Sequence, residues 1–157
     1  MANRGFASMQ IGGVIQRDVL DELRELLLVE GVTDENTNET VAARTPEDLL
    51  ALACGGLLSF FDLDARGGIF EDIETFCVER QIAFTRYSGC LYEYSPELVQ
   101  FRPGLSEPVS MAANSYLEAL VLAHEVHAAM VLLEKGDVSG AQATLRAYGF
   151  LPRRTPG

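Results

Sequence analysis

Cationic side chains are scarce in this sequence. Twelve Lys and Arg stand against twenty-three Asp and Glu over 157 residues, a formal charge of −11 at pH 7. Such a surface repels phosphate backbones, so direct binding to nucleic acid is disfavoured. Cysteine is scarce too. Cys54, Cys77 and Cys90 form an odd set without a C-x-x-C pair, which argues against a disulfide framework and a thiolate zinc centre. Reduced thiols in a cytoplasmic protein are the expectation. The stretch MANRGFASMQIGG lacks the apolar core of a secretion signal. The most apolar segment carries Glu125 near its middle, so no membrane span is expected. Also missing are G-x-x-x-x-G-K-[ST], G-x-G-x-x-G and G-x-S-x-G, the patterns that hold phosphates or an activated serine. No cofactor is expected.

What remains is a globular composition, 48% hydrophobic and 22% charged, in a chain long enough for one domain with an ordinary core. The stretch from Gly56 to Gly104 organises it. Leu57 to Leu63 is an apolar run of strand length. Ile69, Phe70, Ile73, Phe76 and Cys77 then recur on one face of a helix. Ile82 to Tyr87 returns as a strand, Ser88-Gly89 reads as a turn, and Cys90 to Tyr94 reads as the second arm of a hairpin.

Around this centre, residues 1–7 read as a loose tail and Ser8 to Ile15 as a first strand weakened by Gly12-Gly13. Val19, Leu20, Leu23, Leu26 and Leu27 predict a helix that Asp18 can cap and Gly31 stops. Thr33 to Thr40 is polar and reads as a loop. Thr45-Pro46-Glu47-Asp48 is a helix start, with a cap, Pro in the first turn and acids at the positive end of the dipole. Glu97 to Arg102 reads as a last strand and Leu105 to Ser110 as loop. A long helix is predicted from Asn114 or Ser115 to about Lys135, with apolar residues on two stripes. A shorter helix then starts at Ser139 with Gln142 as its capping box. The phrase KGDVSGAQATLRAYG resembles one turn and helix of a tetratricopeptide hairpin, but it occurs once, where stacked repeats need several. The fold class is α+β: a small, mainly antiparallel sheet packed on amphipathic helices, with a C-terminal helical hairpin. In one domain over 1–157, residues 8–104 hold the sheet and central helices, 111–149 the hairpin, and 150–157 a tail.

Three constellations could carry chemistry. His124-Glu125-Val126-His127 spaces its imidazoles by three residues, whereas the zinc-protease motif needs four. A core or interface role is the simpler account of His124, and a metal-dependent enzyme using His124 and His127 is an alternative. Asp62 and Asp64, at the end of a strand, could share a metal ion, or Asp64 could cap the next helix. No second catalytic group follows at a useful spacing. Third, Phe84 and Arg86 share one strand face and Thr85 and Tyr87 the other, with Tyr92 and Tyr94 on the next arm. Cross-strand packing explains such aromatics. A protein-recognition patch of Arg86, Tyr87, Tyr92, Tyr94 and Arg102 is the functional alternative, since Tyr and Arg dominate binding hot spots.

The acids suggest the leading function. Asp62, Asp64, Glu71, Asp72, Glu74 and Glu79 fall on or beside one helix whose apolar stripe faces the other way. Such a face suits a protein partner with a basic surface. In size, charge and lack of catalytic motifs, the chain resembles the small acidic inhibitors encoded by phages and mobile elements, anti-CRISPR proteins among them. The resemblance lies in composition and assigns no residue a role. It implies a non-enzymatic protein that occupies a basic, nucleic-acid-binding surface of a bacterial defence complex. A further expectation is an adaptor or homodimer acting through the apolar helix at 115–135, since a chain this small has little material to cover two stripes.

Overall fold

The alternation Phe6-Ala7-Ser8-Met9-Gln10-Ile11 puts every second side chain on one side of an extended chain. In the computed structural model, which describes residues 4–89, 95–114, 116, 118, 120 and 123–146, this stretch is a strand, β1 (Arg4–Gly12). Then come α1 (Arg17–Glu30), β2 (Thr33–Asp34), α2 (Pro46–Ala51), β3 (Leu58–Arg66) and α3 (Glu71–Glu79). The rest are β4 (Ala83–Ser88), β5 (Glu97–Phe101), β6 (Val109–Ala112), α4 (Ala123–Glu134) and α5 (Val138–Arg146). The strands form one sheet in the order β2-β3-β1-β4-β5-β6, and every neighbouring pair is antiparallel. The fold is α+β, as the sequence pattern implies.

The helices α1, α2 and α3 pack on one face of the sheet. Ala7, Met9, Ile11, Phe60, Phe84 and Phe101 meet Leu23 and Leu27 of α1, Leu49 of α2, and Ile73 and Cys77 of α3 in one cluster. The opposite face holds a smaller cluster of Tyr87, Leu98, Met111 and Ala113, with Phe6 and Val109 packed against it. Residues 4–7 are therefore not a loose tail. Ala7 is fully buried, and the ring of Phe6 lies 6.1 Å from that of Tyr87 in an edge contact.

Local signals mark several boundaries. Thr45 and Asp48 form a reciprocal capping box at the start of α2. Gly31, at φ 69°, ends α1 by donating its N–H to the Leu27 carbonyl. Asp18 does not cap α1; Gln16 holds that position without a side-chain bond. The acidic loop contributes β2, which pairs Thr33 with Phe61 and Asp34 with Phe60.

The largest departures follow β5. Val109–Ala112 is a strand, where a loop to Ser110 and then the helical hairpin from residue 111 are expected, and Met111 is buried in the second cluster. Residues 116, 118 and 120 are not helical, and the described helix is Ala123–Glu134. Asn114 does gather N–H groups as a cap would, accepting from Tyr116 and Glu118 at 2.9 and 3.1 Å. The N–H of Leu120, however, donates to the Ala112 carbonyl at 2.7 Å and keeps this segment beside β6. Helix α4 ends at Glu134, and Gly136 and Asp137 donate back to Leu133 and Leu132. Asp137, and not Ser139, caps α5, its Oδ1 accepting the Gly140 N–H at 2.9 Å. The hairpin arm expected at Cys90–Tyr94 lies outside the described residues.

Candidate functional site

Strand parity decides what happens to Arg86. On β4, Phe84 points into the helix-covered core, so Arg86, two residues on, points the same way. Only 5% of it is exposed. Its Nε donates to Glu74 Oε1 at 2.8 Å and its Nη2 to Glu97 Oε1 at 3.2 Å. Its Nη1 donates to Ser88 Oγ, whose hydroxyl donates to the Gly68 carbonyl. Glu74 also accepts the Phe70 N–H at 2.8 Å, tying the ion cluster to the start of α3.

Two expectations about exposure are corrected here. Arg86 is an interior charge, not a surface anchor. Glu74 does not face outward, because it is the counter-charge that lets a guanidinium sit in this layer. Tyr87 is buried on the other side of β4, its hydroxyl donating to the Asn114 carbonyl at 3.2 Å. Arg102 is half-buried and donates to the carbonyls of Phe84 and Phe101. Tyr92 and Tyr94 lie outside the described residues.

The Asp pair is also reassigned. A bulge interrupts the β1–β3 ladder between Gly5 and Ala7, opposite the stretch from Asp62 to Ala65. Asp62 Oδ1 accepts the Asp64 N–H at 2.9 Å, while Asp64 turns to Arg4, with Oδ2 at 3.2 Å from Nη1. The two carboxylates therefore serve the bulge and do not face one common point. His124 and His127 are exposed on α4, and the acid nearest His124 is Glu125 at 3.7 Å. Among the described residues no group of three or more His, Cys, Asp or Glu is placed to hold a metal ion. Cys77 is fully buried, and burial together with the charge of Glu74 pushes its thiol up to about 12. It is no nucleophile at neutral pH.

The fold does assemble a different acidic group. The charges of Asp72, in the first turn of α3, and of Asp62, on β3, both reach Glu30 at the end of α1. Burial raises the Glu30 carboxyl above its ordinary range, and Asp72 and then Asp62 push it the same way. Glu35, on the loop after β2, is raised by burial and then by Asp34. Among the described residues no Arg or Lys pairs with Glu30, Asp62, Asp72, Glu71 or Glu79, whereas Asp64, Glu74 and Glu22 are each bound to an arginine. Nothing in the sequence around Glu30 marks its membership, because three separate elements supply the group.

A carboxyl whose folded value lies above its unfolded one holds more protons when folded. Its contribution therefore favours the fold at low pH and is lost as pH rises from the ordinary 4.5 through the raised value. Glu30→Gln is expected to raise stability at pH 7, with the gain vanishing below about pH 4. Urea unfolding at both pH values checks this, and a variant that is destabilised at neutral pH would contradict it.

At the opposite end of α1 lies a cleft of about 380 Å³ lined by Ile15, Leu20, Leu50 and Leu58. At its rim Arg17 and Glu47 bind each other at 2.6 Å, which occupies the charges that would orient a ligand. No described helix is long and apolar enough to cross a membrane. Comparison with protein-family models, with curated proteins and with solved structures finds no match for this chain.

Proposed function

We propose that this chain is a non-enzymatic protein-binding module whose acidic face accepts the basic surface of a partner protein. The observation that carries this reading is that Glu30, on α1, feels the charges of Asp72 and Asp62 from two other elements, with no cation paired to any of the three among the described residues. Burial and the two neighbouring carboxylates disfavour the charged form of Glu30 in the free protein, and a cationic partner relieves that cost. Glu71 and Glu79 flank the group on the exposed side of α3. Asp64 and Glu74 are neutralised within the chain and belong to the scaffold. A groove built to hold nucleic acid is the kind of basic surface that fits. This agrees with the chain's likeness in size and charge to phage-encoded inhibitors of bacterial defence complexes.

The test is affinity capture from host lysate, with wild type beside a Glu30→Lys/Asp62→Lys/Asp72→Lys variant. Wild type is expected to retain a basic protein and release it as salt rises. The triple variant is expected to lose it, while Asp64→Lys retains it. Equal capture by the triple variant would reject the acidic face as the docking surface.

A further inference from the structure

We propose that two copies of this chain associate through α4, antiparallel about a two-fold axis. Helix α4 has one buried side chain, Ala129, and Glu125 and Leu132, a turn to either side of it, are half-buried. Helix α5 is the element against which α4 packs. About a quarter-turn away, Val126, Met130 and Leu133 are 41%, 54% and 50% exposed. They are spaced by four residues and then three, with exposed Ala123 heading the stripe. That alternation is the seam spacing by which one helix packs along another.

Two features of the seam select a second copy as its occupant. The first is shape. An antiparallel alignment that sets Ala123 against Leu133 of the second copy also sets Val126 against its Met130. A smaller side chain then opposes a larger one in every layer, and the two-fold axis repeats each pairing. The second is charge. Two chains of −11 repel each other across most of their surfaces. Helix α4 and the adjoining Lys135 carry only Glu125, Glu134 and one ammonium, beside two imidazoles. It is a face that like-charged copies can share, whereas a basic partner gains little from it. The seam uses none of Glu30, Asp62 or Asp72 and is independent of the acidic docking face. Twelve residues span about 18 Å, so the seam is short beside a standard interface of about 800 Å² per partner. Association is therefore expected to be weak and concentration-dependent.

Sedimentation of the purified chain from about 1 µM to about 200 µM tests this. The mass is expected to double across that range. Met130→Glu, at an exposed position the fold does not need, is expected to weaken association about tenfold or more. The register is read from disulfides in a Cys54→Ser/Cys90→Ser background, which leaves only the buried Cys77. Mixed Val126→Cys and Met130→Cys chains are expected to link to each other, and neither is expected to link to itself. A single-chain mass at every concentration would overturn the proposal, as would a dimer that Met130→Glu leaves unchanged. Self-linked Val126→Cys would overturn the antiparallel arrangement.

Discussion

Arg86→Met is expected to cost about 3–5 kcal/mol of unfolding free energy, the range for breaking one side of a buried ion pair. The side chain of Arg86 is 6% exposed and that of Glu74 is 14% exposed. Removing the guanidinium strands the Glu74 carboxylate beside the core and leaves the Ser88 hydroxyl oxygen without its donor. Arg86→Lys is expected to recover only part of the loss. One ammonium cannot reproduce the fork that serves Glu74, Ser88 and Glu97 together. Adding Glu74→Met to Arg86→Met removes both charges, and the double variant is expected to be more stable than Arg86→Met alone. Urea unfolding at pH 7 measures all three. A loss below about 1 kcal/mol for Arg86→Met would mean that the pair behaves like a surface salt bridge.

Phe60→Ala is expected to be of similar size, about 3–5 kcal/mol, by the cavity it opens. Phe60 is 2% exposed on β3, and its ring meets that of Phe70 edge-on, with centroids 5.5 Å apart. Phe70 is the residue before α3, so this contact fixes where the helix leaves the sheet. Its loss is expected to loosen the first turn of α3, and with it Asp72. Phe60→Leu keeps most of the volume and is expected to cost less. Thermal and urea unfolding check the series. Faster amide exchange over residues 71–74 in Phe60→Ala would show that the loss reaches the acidic group.

Much of the architecture is legible in periodicity. Leu20, Leu23 and Leu27 mark α1, and Ile73 and Cys77 mark α3. The alternation through Met9 and Ile11 marks β1, though its start at Arg4 is hidden because Phe6 packs against residues distant in sequence, the rings of Phe61 and Tyr87 among them. Strand β6 is four residues long, too short for a pattern, and it exists because Leu98 and Met111 pair across the sheet. The candidate site is less legible. That Arg86 shares a face with Phe84 can be read from the sequence, and it already implied burial. That Glu30 joins Asp62 and Asp72 cannot be read, because it depends on how α1 and α3 lie over the sheet. The half-polar surroundings of Asp64 gave no sign of the bulge that turns it toward Arg4.

The central place of β1 bears on how the chain reaches its native state. Ala7 pairs with Asp62 on one side and with Ser88 on the other. During synthesis β1 emerges with neither neighbour made, and both of its edges stay open until β3 and then β4 have left the ribosome. Closing these distant ladders, not winding the helices, sets the pace of refolding. While they are open, the nascent chain's exposed strand edges are where it is most prone to pair with the wrong molecule.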